Sequence, residues 1–189
     1  LNNTDLNNAL QLSKYIFPNM IYNNETKLTI VYKDNRPFFR ICNDKELEYK
    51  KMIAKFAILS NNYIAYILRK HLDENHIIFR NCPVLNNSNN EINDYDFKDF
   101  MNYIIENKVR AQYDNKCFNH DLLNLSEYLH MTSPLRRSVD CVVHYLLKSL
   151  FLNKVNPFNQ EKLRNIIKHA NVNNKNCLLY TSDAADDAG

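Results

Sequence analysis

The chain has a single glycine, its last residue, and no tryptophan in 189 positions. The shortage of glycine excludes a class of function. Loops that cradle the phosphates of a nucleotide need glycines so that backbone N–H groups can come close to the ligand. P-loop and dinucleotide-binding chemistry are therefore excluded within this chain. There is no run of about eighteen apolar residues, so no membrane-spanning helix is expected and no membrane partner. The opening residues, LNNTDLNNALQLSK, lack an initiator methionine and the basic-then-apolar layout of a secretory leader, so the natural start is expected upstream. Cys42, Cys82, Cys117, Cys141 and Cys177 form no C-x-x-C pair. Reduced thiols and an intracellular location, cytoplasmic or nuclear, are expected. An excess of either charge is also lacking, with 24 Lys and Arg against 21 Asp and Glu. The net charge is +3, so any nucleic-acid site has to be local.

What is abundant is Asn, Lys, Ile and Tyr, a usage that fits an AT-rich coding sequence. Hydrophobic residues make up 45% of the chain, with twelve Tyr and ten Phe, enough for a real core. The ending, CLLYTSDAADDAG, departs from that usage and looks like translated library adapter. Residues 177–189 are accordingly read as an artefactual tail and residues 1–176 as the domain.

Apolar spacing predicts a helix over Asp5–Phe17 and a longer one over Lys45–Leu72, carried by Met52, Ile53, Phe56, Leu59, Tyr63, Ile64 and Ile67. Tyr63 and Tyr66 are read as core residues rather than base-stacking ones. Lys27–Ile41 reads as two strands around an Asp-Asn turn. His76–Leu85 reads as a short strand entering a proline-containing loop, and 86–94 as a polar loop. Further helices are expected over Asp94–Asp114 and over Asn159–Asn173, after Pro157. The sum is an α+β chain, rich in helix with a few short antiparallel strands.

One segment, EYLHMTSPLRRSVDCVVHYLLKSLF (Glu127–Phe151), carries the chemistry. Ser133 is a natural N-cap and Pro134 suits the first helical position, so a helix is expected to start there. Leu135, Val139, Val142, Val143, Leu146, Leu147 and Leu150 then form its apolar stripe. Cys141, beside it, reads as a small buried hydrophobe. Arg136 and Arg137 fall in the first turn, where the helix dipole disfavours cations. Asp140 lies within helical reach of both, and His144 follows one turn on. Two readings stand side by side. The arginines are solvated charges balanced by Asp140, or they converge with the backbone N–H groups and the Thr132 and Ser133 hydroxyls on one phosphate.

The wording of this segment resembles the signature Y-x-H-F-T-S-P-I-R-R-Y-x-D-x-x-V-H-R-x-L of the RNB domain in the RNase II/exosome exoribonuclease family. Tyr128, His130, Thr132, Ser133, Pro134, Arg136, Arg137, Asp140, Val143 and His144 match it. HDLLNL (His120–Leu125), AQY (Ala111–Tyr113), IFRNCP (Ile78–Pro83, with Cys82 in place of His) and Ile53–Leu68 are similar to further family segments in family order, and HANVNN (His169–Asn174) to a later one. The resemblance covers the C-terminal half of the domain. It implies a 3′→5′ hydrolytic exoribonuclease that threads single-stranded RNA and uses two Mg²⁺ ions held by an aspartate cluster. RNA-decay factors of the exosome type would be its partners. Arg136 would grip the scissile phosphate as the catalytic residue. Thr132, Ser133, Arg137, His130 and Asn61 would bind RNA, with Asp140, His144 and Tyr128 in support.

The family's aspartate motif does not occur in this sequence, so no metal ligands are assigned here. Asp94, Asp96 and Asp99, the densest acidic cluster, read as helix-start charges. Ala54 and Lys55 stand where the family keeps Glu-Glu. This leaves an alternative, a degenerate RNB-like factor that binds RNA without cutting it. His71, His76 and His169 lack metal-ligand spacing and read as surface or hydrogen-bonded histidines.

Overall fold

The computed structural model describes residues 3–16, 28–34, 36–83 and 110–186; for residues 3, 28–30 and 174–186 it gives the backbone alone. The chain divides into two compact units, residues 1–60 and 61–189.

In the first unit, helix α1 (Asn3–Tyr15) precedes an antiparallel hairpin, β1 (Leu28–Lys33) and β2 (Arg36–Ile41). The register runs from Leu28 opposite Ile41 to Lys33 opposite Arg36. Asp34, just after β1, sits at φ 49°, a left-handed conformation that short polar side chains tolerate, so the chain reverses where the sequence puts turn chemistry. Helix α2 (Asp44–His71) starts in a reciprocal capping box. Asn43 Oδ1 accepts from the Glu46 N–H at 2.9 Å, and Glu46 Oε2 accepts from the Asn43 N–H at 3.1 Å. Arg40 grips the same Glu46 with two hydrogen bonds, at 3.0 and 2.7 Å. Lys55 donates its Nζ to the Ser13 carbonyl at 3.1 Å.

The second unit begins at Asn61, within α2. A 3₁₀ turn (Glu74–His76) leads to β3 (Phe79–Asn81), which pairs antiparallel with β4 (Gln112–Asp114), Arg80 lying opposite Tyr113. Helix α3 (Ser138–Phe151) and helix α4 (Gln160–Asp186) complete it. The core joins Ala65 and Leu68 of α2, Ile77–Phe79, Tyr113, Leu129, five residues of α3 and Leu163 of α4. These apolar groups come from elements far apart in sequence, so their burial is what holds the unit together.

Several expectations change, and others lie outside the described residues. Residues 94–109, with Asp94, Asp96 and Asp99, lie outside the described residues, as does the loop at 86–94. The tail of the expected 94–114 helix is strand β4 instead. Asn171 closes both backbone groups of Tyr113, accepting from its N–H at 2.9 Å and donating to its carbonyl at 2.8 Å, so extended backbone is satisfied there. The α3 helix starts at Ser138 rather than at Ser133. Leu135, expected on its apolar stripe, is fully exposed. Tyr63 and Tyr66 are also exposed, with ring centroids 6.5 Å apart, and Cys141 is half-buried with its thiol directed at the Pro134 carbonyl. Finally, α4 continues past Asn173 to Asp186.

Candidate functional site

The second unit builds its polar centre around residues 128–140. The strand pair supplies Arg80 and Tyr113, α2 supplies Asn61, and α3 supplies Asp140 and His144. Asn61 is buried and spends both ends of its amide on the Tyr128–Met131 segment. It donates to the Tyr128 hydroxyl at 2.9 Å and accepts from the Met131 N–H at 2.9 Å. His144 Nε2 lies 2.8 Å from the Met131 carbonyl. A carbonyl can only accept, so that nitrogen carries a hydrogen. The Arg80 N–H donates to the Tyr128 carbonyl at 2.8 Å, stitching the segment to β3.

Four rings form a chain across this segment. His120 packs edge-on against Tyr128, Tyr128 against His130, and His130 against Tyr113, with centroids 5.0, 5.5 and 5.7 Å apart. The Tyr113 hydroxyl meets His130 Nδ1 at 2.8 Å. Burial, with the nearby charges of Arg137 and Arg80, holds the His130 imidazole down at about 3. Burial likewise lowers His120 to about 4. Both rings are therefore neutral at pH 7. Burial also pushes the Tyr113 and Tyr128 phenols above their ordinary range.

Beyond Met131 the chain turns instead of starting a helix. The Ser133 carbonyl accepts from the N–H groups of Arg136 and Arg137, at 3.2 and 3.1 Å. Ser133 donates its own N–H to Asp140 Oδ2 at 2.7 Å. Asp140 also takes Arg137 Nε and Nη2, at 2.8 and 2.9 Å. The carboxylate is fully buried and the three bonds compensate it. This anchoring is why Ser133 does not cap the helix; Arg137 takes the N-cap position, and its side chain makes no capping bond to the helix N–H groups. Burial opposes the Arg137 charge, but the bonds and charge of Asp140 outweigh it and raise its pKa. Asp140 thus pairs with Arg137 and not, as the helical spacing suggested, with both arginines.

Arg136 stands on the outside of the turn. Its side chain is exposed and forms no ion pair with the described residues. Thr132 is exposed beside it and Ser133 is half-buried. The structure therefore ties the 128–140 segment down through separate bonded groups, Asn61 with Tyr128, Met131 and His144, His130 with Tyr113, and Asp140 with Ser133 and Arg137, and leaves Arg136 and Thr132 exposed. Sequence reasoning assigned no role to Arg80, Tyr113 or Asn171. Their signal was present, since each sits in a segment similar to the family, but nothing local marked the residue. Among the described residues, no group of three or more His, Cys, Asp or Glu is placed to hold a metal ion.

A family model for the RNB domain matches residues 4–154. Ribonuclease R of Buchnera aphidicola is 28% identical over 96 residues, 48% of this chain and 13% of that protein. Virulence protein SSD1 of Candida albicans is 31% identical over 77 residues, 41% of this chain and 6% of that protein. The chain thus spans a small part of these relatives. Among solved structures, Mycoplasma genitalium RNase R in complex with ribose-methylated single-stranded RNA superposes with a TM-score of 0.67 at 19% identity, covering 96% of this chain and 35% of that one. The Dss1 exoribonuclease of Candida glabrata does so with a TM-score of 0.67 at 16% identity, covering 89% and 25%.

Proposed function

The chain belongs to the RNB domain family, and from that premise we propose that it is the phosphate-gripping part of a 3′→5′ hydrolytic exoribonuclease acting on single-stranded RNA. The observation that carries the reading is Arg136, an exposed guanidinium without a carboxylate partner among the described residues, on a turn that Asp140 fixes from both sides. A guanidinium presents parallel N–H groups that match two phosphate oxygens. It needs no rearrangement to meet charge that builds on the scissile phosphate. Thr132 and Ser133 line the RNA path next to it. Arg137, His130, Asn61, Tyr128 and His144 act by holding the turn. The grip differs from the one the sequence suggested, because the turn, and not a helix N-terminus, presents the cation.

Divalent metal, Mg²⁺ in the family resemblance, supplies the activated water in this chemistry. The described residues do not form a donor set for it, so its ligands would come from elsewhere in the intact protein. A second reading, RNA binding without cleavage, is favoured by Ala54 and Lys55 at the positions of the family's Glu-Glu. Lys55 is directed to the Ser13 carbonyl.

The test is Arg136→Ala in the intact protein with a 3′-labelled single-stranded RNA. Hydrolysis is expected to fall at least a hundredfold, with the thermal midpoint unchanged. Unchanged turnover rejects the assignment of Arg136. A wild-type protein that binds the RNA and releases no mononucleotide establishes the second reading.

A further inference from the structure

We propose that Asn171 of α4 is a positioning residue for the turn that carries Arg136, acting through Tyr113. The role rests on the exoribonuclease reading above and extends it to a residue well downstream of the grip. Tyr113 is buried on β4, a strand of three residues that pairs with β3. In an antiparallel pair, facing residues alternate between exchanging both backbone bonds and exchanging none. Tyr113 faces Arg80, and their backbone groups turn away from each other. The Arg80 N–H goes to the Tyr128 carbonyl, and both backbone groups of Tyr113 go to the Asn171 side chain. Strand β3 therefore does not fix the backbone of Tyr113 itself. The Asn171 amide does so in the manner of a third strand, because it carries a donor and an acceptor side by side as a peptide group does.

Helix α4 holds that amide in place. Leu163, Ile166, Ile167 and Ala170 recur at helical spacing and pack on the core, with Leu163 fully buried. Asn171 follows Ile167 by one turn, at the edge of the same face. Tyr113 then passes the position on in two directions. Its hydroxyl meets His130 Nδ1 at 2.8 Å, and His130 stands two residues before Thr132. Its ring lies 4.5 Å from the guanidinium carbon of Arg80, whose N–H bonds the Tyr128 carbonyl. Both ends of the Tyr128–His130 segment thus depend on where Tyr113 sits, while Asp140 holds the turn from the other side through Ser133 and Arg137. A reacting group misplaced by about 1 Å can lose about a hundredfold in rate. The Asn171 amide is spent on Tyr113, so it orients the grip without being part of it.

The experiment uses the intact protein, with Arg136→Ala as the reference for a lost grip. Release of UMP from a single-stranded oligouridylate gives kcat and KM, and thermal midpoints confirm that each variant is folded at the assay temperature. Asn171→Ala is expected to lower kcat about tenfold or more and to leave KM within about twofold. Tyr113→Phe keeps the Asn171 bonds and the ring over Arg80 and removes only the hydroxyl, and its kcat should fall in the same way. Combining the two should lose little beyond the larger single effect, because both act through one bond to His130. A wild-type kcat for Asn171→Ala, whatever its midpoint, makes Asn171 a structural prop and overturns the proposal. Losses that multiply in the double variant overturn it too, since Asn171 then acts by another route. If Asn171→Ala does not fold, Asn171→Gln takes its place: the amide is kept but displaced by a methylene, and an unchanged kcat overturns the proposal. If the wild-type protein releases no UMP, or Arg136→Ala releases it at the wild-type rate, the exoribonuclease reading fails and this role falls with it.

Discussion

At the scale of single residues, Asp140 decides how the site is organised. That it would pair with an arginine was legible, because an acid three or four positions after an Arg pair is in reach of either. Which arginine it takes was not legible, since that depends on a turn fixed by the Ser133 N–H. Asp140→Asn should leave the Arg137 guanidinium half-buried without its counter-charge, at a cost of about 3 kcal/mol. Urea denaturation reads this directly, and a loss below about 1 kcal/mol would show the pair to be marginal. The imidazoles make a second prediction. His130 titrates at about 3 and His120 at about 4 in the folded protein, against 6.5 for a free histidine. Between those values and 6.5 the unfolded chain binds protons that the folded chain refuses. Their stabilisation is complete above pH 6.5 and is lost as the pH falls toward 4. The denaturation midpoint should therefore drop between pH 7 and pH 4. His130→Asn, which keeps an acceptor for the Tyr113 hydroxyl, should show a shallower drop. An equal drop in both proteins would remove His130 from the explanation.

At the scale of elements, the sequence was most readable where structure is local. The Asp-Asn hairpin and the long α2 helix follow from turn chemistry and apolar period, and both are present. Strand β4 has three residues, too few to show a period, and its partner β3 lies about thirty residues earlier. Only the folded chain brings them together. The start of α3 misled for a different reason. Ser-Pro followed by helical spacing is a good start signal, but it cannot reveal that a buried carboxylate seven residues further on holds the Ser133 N–H in a turn. The two descriptions differ in energy. Were Ser133 the cap, Ser133→Ala would cost about 1 kcal/mol; with its hydroxyl outside the cap, the expected cost is below about 0.5 kcal/mol. Leu135→Ser should be equally mild, since Leu135 is fully exposed, whereas Leu146→Ala, at a buried position, should cost about 2–5 kcal/mol. Chemical denaturation of the three variants separates a helix begun at Ser133 from one begun at Ser138.

At the scale of the whole chain, the order of motifs revealed the family, and nothing in the sequence revealed the division into two units. That division is a matter of where apolar surface is buried. Among the described residues, the thirteen that form the buried hydrophobic cluster lie between Ala65 and Leu163, inside the second unit. In the first unit, Ser13 and Met52 are the buried side chains among the described residues. The hairpin there keeps Tyr32, Phe39 and Ile41 more than 70% exposed, and two strands alone are marginally stable in water. Burial drives folding in proportion to the apolar area removed from water, so the second unit has its own driving force and the hairpin has little. Opening free energies should follow the same order. In native-state hydrogen exchange, the amides of Val143 and Leu146 are expected to be the slowest and those of β1 and β2 to exchange near the rate of unfolded chain. Deleting residues 1–42, which keeps the Asn43–Glu46 box at the start of α2, should leave the protection of Val143 and Leu146 within about tenfold of the intact chain. A collapse of that protection would mean that the core depends on the first forty-two residues, and would make the hairpin a structural member of the fold.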